Sequence, residues 1–169
     1  MDARSLQDVQ APIKDRYRSD PTAAMVLLRA TGTLGSEHAS CSVDVGRQLV
    51  EAGLHPATGG DGTLACSGDM LLQALVACAG VTLSSVAINR GLNVSGTLTA
   101  EGVLDFRGTL GVDREAPVGF VSISLHFDLD TDATADEVMA LLRTTERYCV
   151  VYQTIRSGTH VSVSSSGGA

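Results

Sequence analysis

Lysine is nearly missing from this sequence. Lys14 is the only lysine, the other eleven basic residues are arginines, and no run of five or more basic residues occurs. The net charge of the 169-residue chain is −7. This balance excludes the clustered basic surface typical of a nucleic-acid-binding protein, and it disfavours a patch that binds anionic membranes.

Export and membrane signals are also missing by sequence criteria. The longest apolar stretch, residues 70–83, contains Gln73 and is shorter than the roughly 20 residues that a membrane-spanning helix needs. No apolar segment follows the N-terminal residues as it would in a secretory signal. We therefore expect a cytoplasmic protein, whose four cysteines are thiols and not a disulfide framework.

The spacings of common metal and catalytic motifs are not found. The sequence has no C-x₂-C, H-x₃-H or HExxH pattern, so no metal site is expected. The glycine-rich residues 59–62 match neither phosphate-binding pattern, and no serine lies in G-x-S-x-G, so no cofactor is expected either. We interpret His55 as a structural loop residue and His126 as a solvent-exposed residue of a strand.

The patterns that are present indicate an α+β domain. Residues 1–21 predict an amphipathic helix, ended near Pro21. Residues 24–34 and 40–45 predict two strands joined by a turn, as in a hairpin, and residues 53–68 predict a loop.

A helix over residues 69–90 is the most informative element. Ser67 is its predicted cap, and Gly91 is available for the left-handed position after the last turn. Its first two-thirds are apolar on nearly every face, which predicts a helix buried on all sides.

The second half of the chain predicts two more strands, over residues 92–106 and 118–129. Alternation places one set of side chains of the latter strand inward: Val121, Ile123, Leu125, Phe127 and Leu129. Thr134 caps a helix that ends near Tyr148 and turns four side chains inward: Val138, Leu141, Leu142 and Thr145. Residues 150–152 and 160–163 are predicted as late strands.

Two of the cysteines differ in their surroundings from Cys41 and Cys66, which we interpret as small buried apolar side chains. Cys78 lies ~14 Å from the start of its helix, too far for the helix dipole to acidify it. A nearby arginine would favour its thiolate. Cys149 follows the end of a helix, where the dipole opposes a thiolate, so it suits a resolving role better than an attacking one.

Two blocks around these cysteines resemble the OsmC/Ohr family of thiol-dependent hydroperoxide reductases. One is residues 68–80 (GDMLLQALVACAG), and the other is residues 146–151 (ERYCVV). The resemblance extends over residues 24–163. It divides the chain into an N-terminal helical extension, residues 1–21, and an OsmC-like domain, residues 22–169.

The resemblance implies both a fold and a chemistry. The implied fold is an intertwined homodimer in which antiparallel sheets wrap long central buried helices. Cys78 corresponds to the peroxidatic cysteine, and Cys149 to the resolving cysteine that forms a disulfide with it. Asp69 and Glu146 correspond to supporting residues, and Asp69 would help to hold an arginine near the reactive sulphur.

The implied activity is a peroxidase, with organic hydroperoxides as substrates, hydrogen peroxide as a less efficient one, and a dithiol as reductant. Arg29 and Arg47 are both candidates for the activating arginine. The chain departs from the family at four places. Ser67-Gly68 precede the acid where a proline is common, Asp69 replaces the common glutamate, Val150 a common proline, and Tyr152 a common serine. These departures favour an alternative, a non-catalytic dimer that binds an apolar ligand or acts as a redox sensor.

Overall fold

The computed structural model describes Ser19 and residues 31–34, 40–44 and 49–166. The predicted N-terminal helix, apart from Ser19, and both candidate arginines, Arg29 and Arg47, lie outside the described residues.

The first sheet has four short strands: β1 (Thr31–Leu34), β2 (Ser40–Asp44), β3 (Leu49–Gly53) and β4 (Ala65–Cys66). They are ordered β1-β2-β3-β4; the first three are antiparallel, and β4 is parallel to β3. The predicted hairpin of β1 and β2 is confirmed, whereas β3 has no counterpart in the sequence prediction.

The central element is helix α1 (Ser67–Arg90), 24 residues long. Gly91 ends it with φ 67°, as predicted, and its N–H donates to the carbonyls of Ala87 and Ile88. The predicted cap is wrong by one residue. Cys66 has the extended backbone of the capping position, and Ser67 is the first helical residue.

The prediction that this helix is buried on all sides is wrong for the single chain. Only one stripe of α1 is fully buried, formed by Leu75, Ala79, Leu83 and Ala87. They recur every fourth residue, so they share one face of the helix. That face is covered by a strand and two helices that follow α1 in the chain.

The length of α1 also corrects the estimate made from residues 70–83. The helix continues to Arg90, and an 18-residue window in it has a mean hydropathy of 2.0, so by length and composition alone it is long enough to cross a membrane. The core helix of a soluble protein meets the same criterion; in the single chain, 22% of this window is buried.

The second sheet is a long antiparallel pair, β5 (Val94–Leu104) and β6 (Phe120–Thr131), connected through the short helix α2 (Phe106–Thr109). Alternation along β6 is confirmed from Ile123 onward. Val121 is an exception, 56% exposed, because the register shift opposite Val103 and Leu104 makes it an extra, bulged residue.

Two helices complete the described chain: α3 (Ala135–Tyr148) and α4 (Val150–Ser157). Thr134 caps α3 through a reciprocal capping box with Glu137, as its sequence indicates. The core of the domain lies between α1 and α3, where Leu83 and Ala87 meet Leu141.

The prediction of two late strands is wrong. Residues 150–152 begin α4, in which Val151, Tyr152 and Ile155 share the half-buried side that packs on α1. Tertiary packing overrides the strand preference of the β-branched residues here. Residues 160–163 form no regular structure, and Val161 and Val163 are 79% and 94% exposed.

Candidate active site

Cys149 lies at the corner between two helices. It is the residue after the last turn of α3 and the capping residue of α4, with φ −73° and ψ 109°. Its N–H donates to the carbonyl of Thr145 (2.8 Å), and its carbonyl accepts from the N–H of Gln153 (3.0 Å). Cys149 is therefore fixed by its backbone, and its side chain is only 1% exposed.

This corner meets α1 at Cys78. The half-buried sulphur of Cys78 accepts hydrogen bonds from the backbone N–H groups of Val150 and Val151 and from the Cys149 thiol. The hydroxyl of Thr82, one helical turn after Cys78, is a further donor. The structure therefore brings together the two cysteines that the sequence singles out, although 71 positions separate them.

The surroundings of Cys78 favour its thiolate. Burial raises the pKa of Cys78, but the hydrogen bonds from the amides of Val151 and Val150 act against it. The Cys149 thiol and the Thr82 hydroxyl add two more donors, and the net pKa of Cys78 lies below the ordinary value. The thiolate is the nucleophilic form, so Cys78 is the more reactive thiol of the pair.

Cys149 is affected in the opposite direction. Burial raises its pKa most, and its hydrogen bond to Cys78 and the negative charge on that sulphur raise it further. The amides of Tyr152 and Val151 lower the pKa of Cys149 without outweighing these effects. Of the two thiols, Cys78 is therefore the one that ionises at the lower pH.

These causes extend the account drawn from the sequence. Cys149 follows the C-terminal end of α3, as expected, and the structure adds that it is also the capping residue of α4. Among the described residues, the groups that lower the pKa of Cys78 are neutral N–H, O–H and S–H donors. The arginine candidates lie outside the described residues and stay predictions.

The two proposed supporting residues are not brought to the sulphur of Cys78 in the single chain. Asp69 lies in the first turn of α1, nine residues before Cys78, on an exposed part of the helix beside Ala100 of β5. The side chain of Glu146 is exposed, and its backbone carbonyl accepts from the side-chain amide of Gln153 (2.7 Å), which ties α3 to α4. Their roles stay predictions.

Thr82 and the first turn of α4 are the parts of the site that sequence reasoning missed. Thr82 carries a recognisable signal, since it follows Cys78 by four residues and so shares its side of α1. The amides of Val150 and Val151 carry none, because the sequence predicts a strand there and a strand would direct them elsewhere.

An apolar groove of about 700 Å³ begins one helical turn from Cys78. Side chains of α1, β6 and α4 form its walls. Arg156 is the one charged residue among those that line it; the others are Leu71, Leu75, Gly119, Phe120, Val121, Ser122, Ile123, Leu125, Tyr152 and Ile155.

The other residues that the sequence analysis considered, His55, His126 and Cys66, lie away from the cysteine pair. The Nδ1 atom of His55 accepts from the N–H of Ala57 (3.0 Å), and its ring stacks on Phe106, so His55 acts as the loop residue that was expected. His126 is exposed, and Cys66 is half-buried instead of buried. Within the described ranges, no group of three or more His, Cys, Asp or Glu side chains is arranged to hold a metal ion.

Solved structures share this fold. An OsmC-like protein from Mycoplasma pneumoniae aligns with a TM-score of 0.64 at 16% identity, covering 78% of this chain and 88% of that chain. An organic hydroperoxide resistance protein OsmC from Legionella pneumophila aligns with a TM-score of 0.56 at 15% identity (78% and 92% covered). The organic hydroperoxide resistance protein OhrB of Bacillus subtilis aligns with a TM-score of 0.51 at 18% identity (78% and 93% covered).

Sequence comparison gives the family. No curated protein matches this chain. The family model described as OsmC-like protein, however, matches residues 60–164, which include α1, both sheet strands β5 and β6, and the corner at Cys149. Because this match covers well over half of the 169 residues, the chain belongs to the OsmC-like family.

Proposed function

We propose that this protein is a thiol peroxidase that reduces organic hydroperoxides, with Cys78 as the attacking thiol and Cys149 as the resolving thiol. The observation that carries the proposal is the contact of the Cys78 sulphur with the Cys149 thiol and with two amides of α4. The hydroperoxide resistance proteins among the structural neighbours support the same reading.

The first step uses the thiolate of Cys78. Its sulphur attacks the terminal oxygen of R–O–OH, an S–O bond forms, and the O–O bond breaks. The alkoxide leaves and takes a proton from water, so the products are an alcohol and the sulfenic acid of Cys78. Two electrons pass from sulphur to the peroxide.

The second step uses Cys149, whose thiol already contacts Cys78. After losing its proton, Cys149 attacks the sulfenic sulphur, and the S–S bond forms as the hydroxide leaves and becomes water. The two sulphurs need only approach to a bond length of about 2.05 Å. An external dithiol then exchanges with this disulfide, restores both thiols and is itself oxidised.

The groove supports an organic substrate over hydrogen peroxide. An apolar R group gains free energy by leaving water for the side chains of Leu75, Tyr152 and Ile155, whereas hydrogen peroxide has no such group. The groove begins at Leu75, one helical turn from Cys78, so the R group has to bind at that end for its O–O bond to reach the sulphur.

The working form that we propose is a homodimer in the reducing cytoplasm. The faces of α1 outside the buried stripe keep apolar side chains such as Leu71 and Val81 exposed in the single chain. A second copy covering them would bury the helix that the sequence predicts to be buried.

The test is consumption of cumene hydroperoxide with dithiothreitol as reductant, by wild type, Cys78→Ser, Cys149→Ser and the matched control Cys66→Ser. We expect turnover in wild type and Cys66→Ser and none in Cys78→Ser. In Cys149→Ser, a single equivalent of peroxide should leave a sulfenic acid on Cys78 that dimedone labels. Turnover retained by Cys78→Ser would contradict the proposal.

The non-catalytic alternative has a distinct outcome in the same experiment. If wild type is inert while both thiols stay reduced, the fold is present without the chemistry. Binding of a fluorescent apolar probe, weakened by a change in the groove, would then favour a ligand-binding protein.

A further inference from the structure

Four donors surround the Cys78 sulphur, and two of them depend on the residue type at one position each. Val150 supplies a backbone N–H, and Thr82 supplies a side-chain hydroxyl. Val150 stands where the OsmC/Ohr block often has proline, which has no N–H. The inference drawn from these two donors rests on the proposed role of Cys78 as the attacking thiol.

The N–H of Val150 can donate to the Cys78 sulphur because Val150 lies at the start of α4. Val150 is the first helical residue, so no carbonyl of the same helix accepts from its N–H. Its side chain is exposed, which leaves the amide as its link to the site. Cys149, the preceding residue, has an extended backbone that a following proline also permits.

The Thr82 hydroxyl has a choice of two acceptors. Its Oγ donates to the carbonyl of Cys78 at 2.7 Å, and it is also within hydrogen-bond reach of the Cys78 sulphur. A hydroxyl has one proton and serves one acceptor at a time. The backbone N–H of Thr82 bonds the same carbonyl in the helical i to i−4 pattern, so that carbonyl stays bonded when the hydroxyl turns to the sulphur.

We propose that Val150 and Thr82 are positioning residues that hold the Cys78 thiolate for attack, Val150 through a fixed amide and Thr82 through a hydroxyl that turns from the carbonyl to the sulphur on ionisation. Two fixed directions from α4 and one from α1 restrict the rotation of the Cys78 side chain.

The test compares two matched pairs of variants, Val150→Pro with Val150→Ala, and Thr82→Val with Thr82→Ser. The first member of each pair loses the donor, and the second keeps it. The measurement is the rate of iodoacetamide alkylation at Cys78 against pH, resolved for each cysteine by mass spectrometry of peptides. At pH 7 we expect Val150→Pro and Thr82→Val to react about fivefold more slowly than their partners, with midpoints moved to higher pH.

The outcomes separate this inference from the proposed function. Alkylation needs no peroxide, so a difference within the pairs supports the positioning role even if wild type consumes no hydroperoxide. Identical profiles within both pairs overturn the positioning role, even if wild type is an active peroxidase. Thermal unfolding checks that Val150→Pro folds; if it does not, the Thr82 pair decides.

Discussion

The two halves of α1 lie in different surroundings. In the C-terminal half, Leu83 and Ala87 are buried against Leu141, and half-buried side chains of β5, β6 and α3 close around them. In the N-terminal half, Leu71 is exposed and forms, with Leu75, one wall of the open groove. Cys78 lies where the closed part meets the open part.

The two halves of the helix therefore have different roles. The buried stripe of the C-terminal half stabilises the domain. The N-terminal half leaves apolar surface for a ligand or a second copy, as does Val81 on the exposed side of the C-terminal half. A reactive sulphur at the boundary has a rigid support on one side and access on the other. The predictions below test that division, from the largest expected effect to the smallest.

The closed half should be costly to disturb. Leu141 is fully buried, so Leu141→Ala removes packed atoms and leaves a cavity, and we expect a loss of about 3 kcal/mol in the free energy of unfolding. Urea denaturation measures it. Met139→Ala, an exposed position on the same helix, is the matched control and should change stability little. A loss below about 1 kcal/mol for Leu141→Ala would mean that this half is not a closed core.

At the boundary, the pKa values of the two thiols should be shifted in opposite directions. Because the pKa of Cys78 is lowered, the midpoint of its alkylation profile should lie at a lower pH than that of a free cysteine. Because the pKa of Cys149 is raised, the midpoint of its profile should lie at a higher pH than that of a free cysteine. Midpoints of the two profiles, read by peptide mass spectrometry, are compared with those of the unfolded chain. Coincident midpoints would refute the opposite pKa shifts of the two thiols.

The open half should matter for substrate and little for stability. Ile155→Ala removes part of the groove wall on α4, and we expect kcat/KM for cumene hydroperoxide to fall about fivefold. The value for hydrogen peroxide, which has no apolar group to bind, should not change. Met139→Ala again serves as the control. Equal losses for both peroxides would show that the groove does not bind the R group.

The smallest effect is expected far from the boundary. Thr134→Ala deletes the capping box at the start of α3, ~20 Å along the helix from Cys149, and should cost about 1 kcal/mol of stability. Thr134→Ser should retain the cap. Peroxide turnover of both folded variants should equal that of wild type; a drop in turnover for the alanine variant alone would link the cap to the site.

Much of the fold follows from local patterns. The alternation of Ile123 to Leu129 and the capping sequence at Thr134 are each encoded within a few residues, and both predictions are confirmed. The strand predicted over 150–152 is wrong because the residues there are β-branched, while packing on α1 selects a helix. The burial of α1 was overestimated because composition does not show how many neighbours one chain supplies.

Parts of the candidate site were also predictable from local sequence, and other parts were not. The sequence selects Cys78 and Cys149 through their blocks, and the structure places their side chains in contact. The cause of the lowered pKa of Cys78 was not predictable, since it depends on amides of a helix that begins 72 positions later in the chain. The position of Thr82 was predictable, because a residue four positions after Cys78 lies on the same side of a helix.

The chain order around α1 has a consequence for synthesis. Among the described residues, its main packing neighbours are β5, α3 and α4, which all follow it in the sequence, and Leu141 is translated some 50 residues after the helix ends. During translation, a 24-residue apolar helix therefore precedes the segments that cover it. Until those segments emerge from the ribosome, the nascent chain displays a surface that chaperones and membrane-targeting factors recognise by hydrophobicity. The rate at which residues 91–141 are translated thus sets how long that surface stays uncovered.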